Sequence, residues 1–155
     1  MTSDTPFHSM LKLRGAYVLT TGMLALSGFA QMPIFKRYYI ADIPGLGWLG
    51  AYYTTHFLHY LFATVLLFLV AFALTTHLLV GRKRRRLTLS GGIQAAIVCG
   101  LAATGGLRVL QNREGYFLTD GWVVLLDSCH LSLALAFIGF GILRTWRKKG
   151  WTSLK

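Results

Sequence analysis

Four long apolar stretches, separated by short polar segments, organise this chain. Each continues for about 20 residues or more, the length that a helix needs to cross a bilayer. They predict membrane spans over residues 15–35, 51–80, 87–107 and 122–143. The second is the longest, and no residue between Asp42 and Arg82 carries a formal charge. The pattern predicts an all-α fold, a four-helix transmembrane bundle that forms one integral membrane domain over residues 1–155.

Composition and charge agree with this prediction. The chain is 54% hydrophobic and 14% charged, with a net charge of +11. The basic residues concentrate at the predicted helix ends, which indicates membrane topology and not nucleic-acid binding. Twelve of the 16 lysines and arginines lie in the N-terminal lead, the 81–86 loop and the tail. The positive-inside rule therefore predicts both termini in the cytoplasm, with residues 36–50 and 108–121 outside.

Smaller features complete the predicted layout. We expect Pro6 to begin a short interfacial helix and Pro44-Gly45 to break the chain in an aromatic outer loop. Cys99 and Cys129 lie in apolar runs without a CxxC motif, so we expect small buried hydrophobic side chains. The first apolar run is too long for a signal peptide, and no internal repeat is evident.

Histidines mark the second span as the chemically active one. It contains three of the five in the chain, His56, His59 and His77. Ionisable side chains are costly in hydrocarbon, so their presence there indicates a function. His59 and His77 are 18 residues apart, which is five helical turns. They share one helix face at a separation of about 27 Å along the axis, and His56 lies one turn from His59.

A fourth histidine lies at a matching depth in the last span. His59 follows Gly50 by nine residues and His130 follows Asp120 by ten, so both lie about 14–15 Å from the outer end. Two histidines at one depth on two bundle helices can bind a haem iron from both faces. We predict His59 and His130 as axial ligands, with His56 as the alternative to His59. The competing interpretation is that the histidines pack through hydrogen bonds or relay protons. The sequence has no Cys/His tetrad of the kind that binds structural zinc.

His77 lies five residues before Arg82, near the inner surface. A quinone headgroup needs a hydrogen-bond donor and a proton on reduction, and an imidazole supplies both. Three roles for His77 stay open: a quinone site, a second haem shared with His8, and structural packing.

Two charges and several glycines lie close to the predicted haem level. Arg108 and Asp127 occupy similar depths near the outer ends of their spans, so either they form an ion pair or Arg108 binds a haem propionate. Small residues provide room for a porphyrin or for close helix packing. The glycines concerned are Gly22, Gly28, Gly100 and Gly105.

Four features of the layout resemble those of a known family. They are the four spans, His56-Phe57-Leu58-His59 in the second span, His130 in the fourth, and a basic inner loop. The family comprises the membrane cytochrome b (gamma-type) subunits of respiratory formate dehydrogenases and related hydrogenases. The resemblance implies b-type haem, a quinone site near the inner side, an outer iron–sulfur or cytochrome partner subunit, and the bacterial inner membrane. Members with two haems carry further histidines in the first span and later in the fourth. Here the first span has none, and Arg144 occupies the position one haem spacing beyond His130.

These observations predict an electron-transfer subunit of a quinone-linked oxidoreductase complex, embedded in membrane lipid, that connects an outer redox partner with membrane quinone. One haem b is expected, and a second only if His77 finds a partner ligand. The chain has no soluble domain that could oxidise a substrate itself. Two rival hypotheses are a haem-free membrane anchor or assembly subunit, and a small proton-coupled transporter that uses the histidines and Asp127 as a relay.

Overall fold

The computed structural model describes residues 6–32, 34–81, 85–115, 118–147 and 152–154. The fold is all-α, as predicted, with one short pair of strands. The chain divides into two compact units, Met1–Thr76 and His77–Lys155. Each unit is built around a hairpin of two long helices, and the cross-helix contacts given below run in opposite chain directions, so each hairpin is antiparallel.

The first unit packs α1 along α3. Its elements in chain order are α1 (Pro6–Ala30), α2 (Ile34–Arg37), two 3₁₀ turns (Ile40–Asp42 and Gly47–Gly50) and α3 (Tyr52–Thr76). The predicted Pro44-Gly45 break is confirmed, because Gly45 adopts a left-handed φ of 87° that a glycine tolerates without strain. Leu49, 3% exposed, buries the connecting segment against the helices.

The second unit packs α4 along α5. It contains a π-helical turn (His77–Gly81), β1 (Arg85–Leu87), α4 (Leu89–Gln111), α5 (Asp120–Trp146) and β2 (Thr152–Leu154). The Thr88 side chain caps α4 by accepting a hydrogen bond from the Gly91 amide at 3.0 Å. The two strands pair antiparallel, with Arg86 opposite Ser153. The sequence patterns did not indicate this ribbon.

Three helical segments of the described residues are long and apolar enough to cross a membrane. They are Tyr52–Leu79, Leu89–Gln111 and Asp120–Trp146. They match the second, third and fourth predicted spans to within a few residues. The helix of the first predicted span, α1, is not among them, so the fourth crossing stays a prediction.

The predicted bounds of the first span differ from those of α1. The helix is continuous from Pro6 to Ala30, so the expectation of a separate interfacial helix was wrong. It also ends five residues before the predicted limit at Phe35. The sequence has a proline at position 33, which lacks an amide hydrogen and disfavours helical backbone in the residue before it.

Several of the most deeply buried side chains in the two hairpins are polar, and many large apolar ones are exposed. Ser27 and Thr55 are fully buried and Gln94 is 2% exposed, whereas Phe68 is 69% exposed. Polar side chains at helix contacts and apolar ones outside are typical of proteins surrounded by lipid. The two cysteines, Cys99 and Cys129, are also exposed. Our expectation that they are buried was therefore wrong, because an apolar helix in lipid presents apolar residues on its outer side too.

Candidate cofactor site

In the first hairpin, His59 on α3 contacts Ser27 on α1. The Ser27 Oγ lies 3.1 Å from Nδ1 of His59. The same hydroxyl donates to the carbonyl oxygen of Met23, one turn earlier, at 2.7 Å. Because a hydroxyl has one hydrogen, its oxygen is the acceptor towards the ring. Nδ1 of His59 therefore donates, and a neutral ring has its lone pair on Nε2.

In the second hairpin, His130 on α5 contacts Thr104 on α4 in the same way. Thr104 Oγ1 lies 2.7 Å from Nδ1 of His130 and donates to the carbonyl oxygen of Gly100 at 2.8 Å. The same reasoning assigns the hydrogen to Nδ1 and the lone pair to Nε2. Histidines that bind metal ions usually have this arrangement, in which a second hydrogen bond sets the tautomer and the orientation of the ring.

A glycine follows each hydroxyl residue and lies against the imidazole. A Cβ atom added to Gly28 would lie 3.2 Å from Cε1 of His59, and one added to Gly105 would lie 3.4 Å from Cε1 of His130. Both rings therefore occupy space that a larger residue would restrict. Of the other glycines predicted to make room, Gly100 faces Leu133, and Gly22 has no atom within 4 Å of an added Cβ.

A polar pair lies one turn from each of these histidines, towards the connecting loop. In the first hairpin, Nδ1 of His56 lies 3.3 Å from Oε1 of Gln31. In the second, Nε of Arg108 lies 2.9 Å from Oδ1 of Asp127, which confirms the predicted ion pair. The ion pair does not decide whether Arg108 also binds a propionate.

These contacts recur at constant spacing in the two hairpins, although the sequence shows no evident internal repeat. The matched residues in α1 and at its C-terminal end lie 77 positions before those of α4, and the matched residues of α3 lie 71 before those of α5. The matched pairs are Ser27 with Thr104, Gly28 with Gly105, Gln31 with Arg108, His56 with Asp127, and His59 with His130. Only the glycine and the histidine are identical, and the connections differ in length. The repeat is therefore visible in the contacts and not in the bare sequence.

The repeat distinguishes the two candidate ligands of the second span. His59 corresponds to His130, the fourth-span candidate, whereas His56 corresponds to Asp127. His56 stacks on Tyr52 at a ring-centroid distance of 5.2 Å and contacts Tyr60 at 4.3 Å. Equivalence within the repeat therefore favours His59 over His56 as the counterpart of His130.

The depth match is less close in the structure than in the sequence. Helix α3 begins at Tyr52 and α5 at Asp120, so the two histidines lie seven and ten residues into their helices. The difference of three residues amounts to about 4.5 Å. Their equivalence thus rests on the repeated contacts more than on the helix starts.

The remaining predicted site residues lie apart from these contacts. His77 begins the π-helical turn and is half-buried. Short π-helical segments are frequent at functional sites. The hydrogen bonds described for the two histidine sites do not involve it. The His8 side chain lies outside the described residues, so its proposed partnership with His77 has no structural description.

Sequence reasoning missed the two hydroxyls, Gln31, and one further polar contact. Arg144 Nη1 donates to Oε1 of the buried Gln94 at 2.8 Å, linking α5 to α4. Arg144 occupies the place where a second-haem ligand was considered. A Ser or Thr directly before a helical glycine occurs at both sites, but it also occurs at Thr21-Gly22 and Ser90-Gly91, so no signal in the sequence singles out the two hydroxyls.

The described residues contain no group of three or more His, Cys, Asp and Glu side chains arranged to hold a metal ion. A haem iron differs from a bare ion because the porphyrin supplies its equatorial donors and the protein adds axial ones. Comparison of the chain with known protein families, with curated proteins and with solved structures finds no match. The two histidine sites themselves are therefore the basis for assigning a function.

Proposed function

We propose that this protein is a membrane electron-transfer subunit that binds b-type haem through His59 and His130. The observation that carries the proposal is the repeated combination of hydroxyl, imidazole and glycine in the two hairpins. An apolar helix contact could be made with leucine or alanine at much lower cost than with a histidine in a membrane. The chain instead has the same contact twice, with the same nitrogen of the ring held each time.

The residues present suit an axial ligand. Hydrogen bonding at Nδ1 makes Nε2 the basic nitrogen, orients the ring and raises its strength as a ligand. Gly28 and Gly105 keep bulk away from the edge of each ring. We assign the two histidines to one iron because the sequence predicts them on spans that run in the same direction, at similar distances from the outer end. When bound, haem supplies reversible one-electron chemistry, and the surrounding apolar residues influence its potential.

The proposed cellular role combines this site with the membrane helices. All connections are short, so the electron donor and acceptor are other molecules: an outer iron–sulfur or cytochrome subunit and membrane quinone. This is the arrangement implied by the resemblance to the cytochrome b subunits of formate dehydrogenases and hydrogenases. We place the protein in the bacterial inner membrane with four spans and both termini cytoplasmic, as the basic residues indicate.

One haem is the stoichiometry that the repeat supports. Each hairpin has one histidine held by a hydroxyl, and Arg144 bonds to Gln94 at the position considered for a second ligand. His77 is then available for the quinone role proposed from its depth. Two haems per chain would instead assign His77 to the inner haem.

A haem-free anchor is the second candidate, favoured by one observation. Both imidazoles bridge the two helices of their own hairpin, a contact that also serves packing alone. The optical spectrum of the purified protein separates the candidates. A reduced b-type spectrum with bis-histidine character supports the proposal, and a protein that remains colourless after reconstitution with haem would refute it.

We expect loss of either hydroxyl to weaken haem binding without abolishing it. Ser27→Ala and Thr104→Ala remove the acceptor that holds Nδ1, and such outer contacts typically contribute about 10- to 100-fold to metal affinity. Haem titration and redox potentiometry measure the effect. Thr104→Ser should restore both properties because it retains the hydroxyl, whereas Thr104→Val should behave like the alanine variant. Equal affinity and potential in all these variants would contradict an orienting role.

The topology prediction can be checked by labelling single cysteines in a Cys99→Ser, Cys129→Ser background. A membrane-impermeant reagent added from outside should label cysteines placed at Asp42 and Glu114 and fail at Ser3 and Arg84. The positions Ser3 and Asp42 flank α1, so labelling of both from one side would show that α1 does not cross. Labelling of Arg84 and not of Glu114 would reverse the orientation.

A further inference from the structure

The polar pairs beside the two histidines have equivalent places in the repeat. Gln31 and His56 are four residues after Ser27 and three before His59, and Arg108 and Asp127 hold the same positions in the second hairpin. Each pair therefore lies one turn, about 5 Å, from its histidine in the direction of the connecting loop. This displacement is comparable with the radius of a porphyrin.

The positions one turn in the opposite direction are apolar in both hairpins. They are Met23 and Phe62 in the first, and Gly100 and Leu133 in the second. The last two are in contact, since an added Cβ on Gly100 would lie 3.1 Å from Leu133 Cδ1. Each histidine thus separates a polar level from an apolar one within its hairpin.

Haem has the same division of chemistry. Two carboxylates occupy one edge of the ring, and methyl and vinyl groups occupy the others. We propose that Arg108, oriented by Asp127, and His56, oriented by Gln31, donate to these carboxylates, each beside the histidine of its own hairpin. The acidic edge of the cofactor then faces the connecting loops. This inference rests on the proposed function, because it specifies how the same cofactor is oriented.

Arg108 is the main carboxylate donor in this arrangement. A guanidinium has five N–H donors in a planar fork. Its contact with Asp127 uses Nε, and the other four N–H groups belong to the two terminal nitrogens, the geometry that binds carboxylates in pairs. Asp127 orients the fork, and both side chains keep substantial exposure, 40% and 46%, within their own hairpin.

The first hairpin has a neutral version of this pair. Gln31 Nε2 donates to the carbonyl oxygen of Ser27 at 3.4 Å, which turns its Oε1 towards His56. The His56 ring is then fixed by Gln31 on one side and by Tyr52 on its face. An imidazole that carries both ring hydrogens donates from its second nitrogen too, and His56 would meet a carboxylate in that form.

Porphyrins that differ only in their carboxylates test the inference. Full-length protein is prepared without haem, in detergent, and titrated with iron protoporphyrin IX and with its dimethyl ester. We expect the wild type to prefer the free acid by about 10- to 100-fold, as charge-assisted hydrogen bonds to two carboxylates would give. This comparison needs no variant and so does not depend on the folding of one.

Variants then assign the preference to residues. Arg108→Leu should lose most of it, Arg108→Lys should keep part, and His56→Leu should lose a smaller share. Arg113→Leu is the matched control, because it removes the same charge from an exposed position outside both pairs. The double variant Arg108→Gln, Asp127→Asn removes both charges together and so avoids leaving a carboxylate unpaired in the membrane.

The outcomes separate this inference from the function it extends. If neither porphyrin gives a bis-histidine spectrum, the haem proposal itself fails. If both bind equally well with that spectrum, haem binding stands and the carboxylate contacts are refuted. A preference for the free acid that is unchanged in the Arg108 and His56 variants would also overturn the assignment, because other residues would then be responsible.

Discussion

Replacing His130 by alanine should eliminate the bis-histidine haem spectrum, and replacing His59 should do the same. An axial imidazole cannot be substituted by a neighbouring side chain unless that side chain reaches the same position. The second hairpin offers no other histidine, and His56 is held one turn away by Gln31. We therefore expect haem content near zero, or a five-coordinate haem with an altered spectrum, in both variants.

His56→Ala is the matched control for this experiment. It removes a histidine from the same helix, one turn from His59, at a position equivalent to Asp127. It should retain the bis-histidine spectrum, with a modest change in affinity if the carboxylate contact exists. The ligand assignment would be wrong if His56→Ala lost the haem while His59→Ala kept it. It would also be wrong if His130→Ala retained an unchanged spectrum.

Substituting valine for Gly28 should cause the second largest effect. An added Cβ alone lies 3.2 Å from Cε1 of His59, and the two further methyl groups of valine need space that the ring occupies. Overpacking of this kind costs about 1–3 kcal/mol, or roughly 5- to 150-fold in haem affinity if the ring is forced from its position. Gly105→Val should act in the same direction on His130. Haem titration measures both effects.

Gly22→Val provides the control on the same helix. It makes the same change in helix propensity and hydrophobicity, but an added Cβ at Gly22 meets no atom within 4 Å. Haem affinity should stay within about twofold of the wild type there, as at a surface position without such contacts. If valine at Gly22 and at Gly28 lowered haem affinity equally, the close approach of glycine to the ring would have no part in binding.

The sequence by itself determined the helices of α3, α4 and α5. Their apolar runs are long enough to cross a bilayer, where a helix satisfies its own backbone hydrogen bonds. It also indicated the Arg108–Asp127 ion pair, because two opposite charges at similar depth in hydrocarbon stabilise each other. The break at Pro44-Gly45 followed from local conformational preference. The helices and the break each depend on the residues of a single segment. The ion pair follows from the high free-energy cost of leaving Arg108 and Asp127 unpaired in a membrane.

The tertiary structure alone decided which residues hold the histidines. Helical periodicity gives the face on which His59 lies, but not the helix that packs against that face or its register. Ser27 and Gln31 are 32 and 25 residues from their partners, and the intervening loop has no regular period. The same uncertainty concealed the repeat, because its two connections differ in length and most matched residues differ in type.

Lipid also reverses one rule by which a sequence indicates burial. In water, an apolar residue such as Cys99 or Cys129 is expected inside, since burial removes apolar surface from solvent. In a membrane that driving force is absent between helices, and small or polar residues make the closest contacts. Ser27, Thr55 and Gln94 are consequently among the buried residues, beside apolar ones such as Leu66 and Phe137. Apolarity thus determined where the chain forms helices, and the packing of each hairpin determined which of its residues meet.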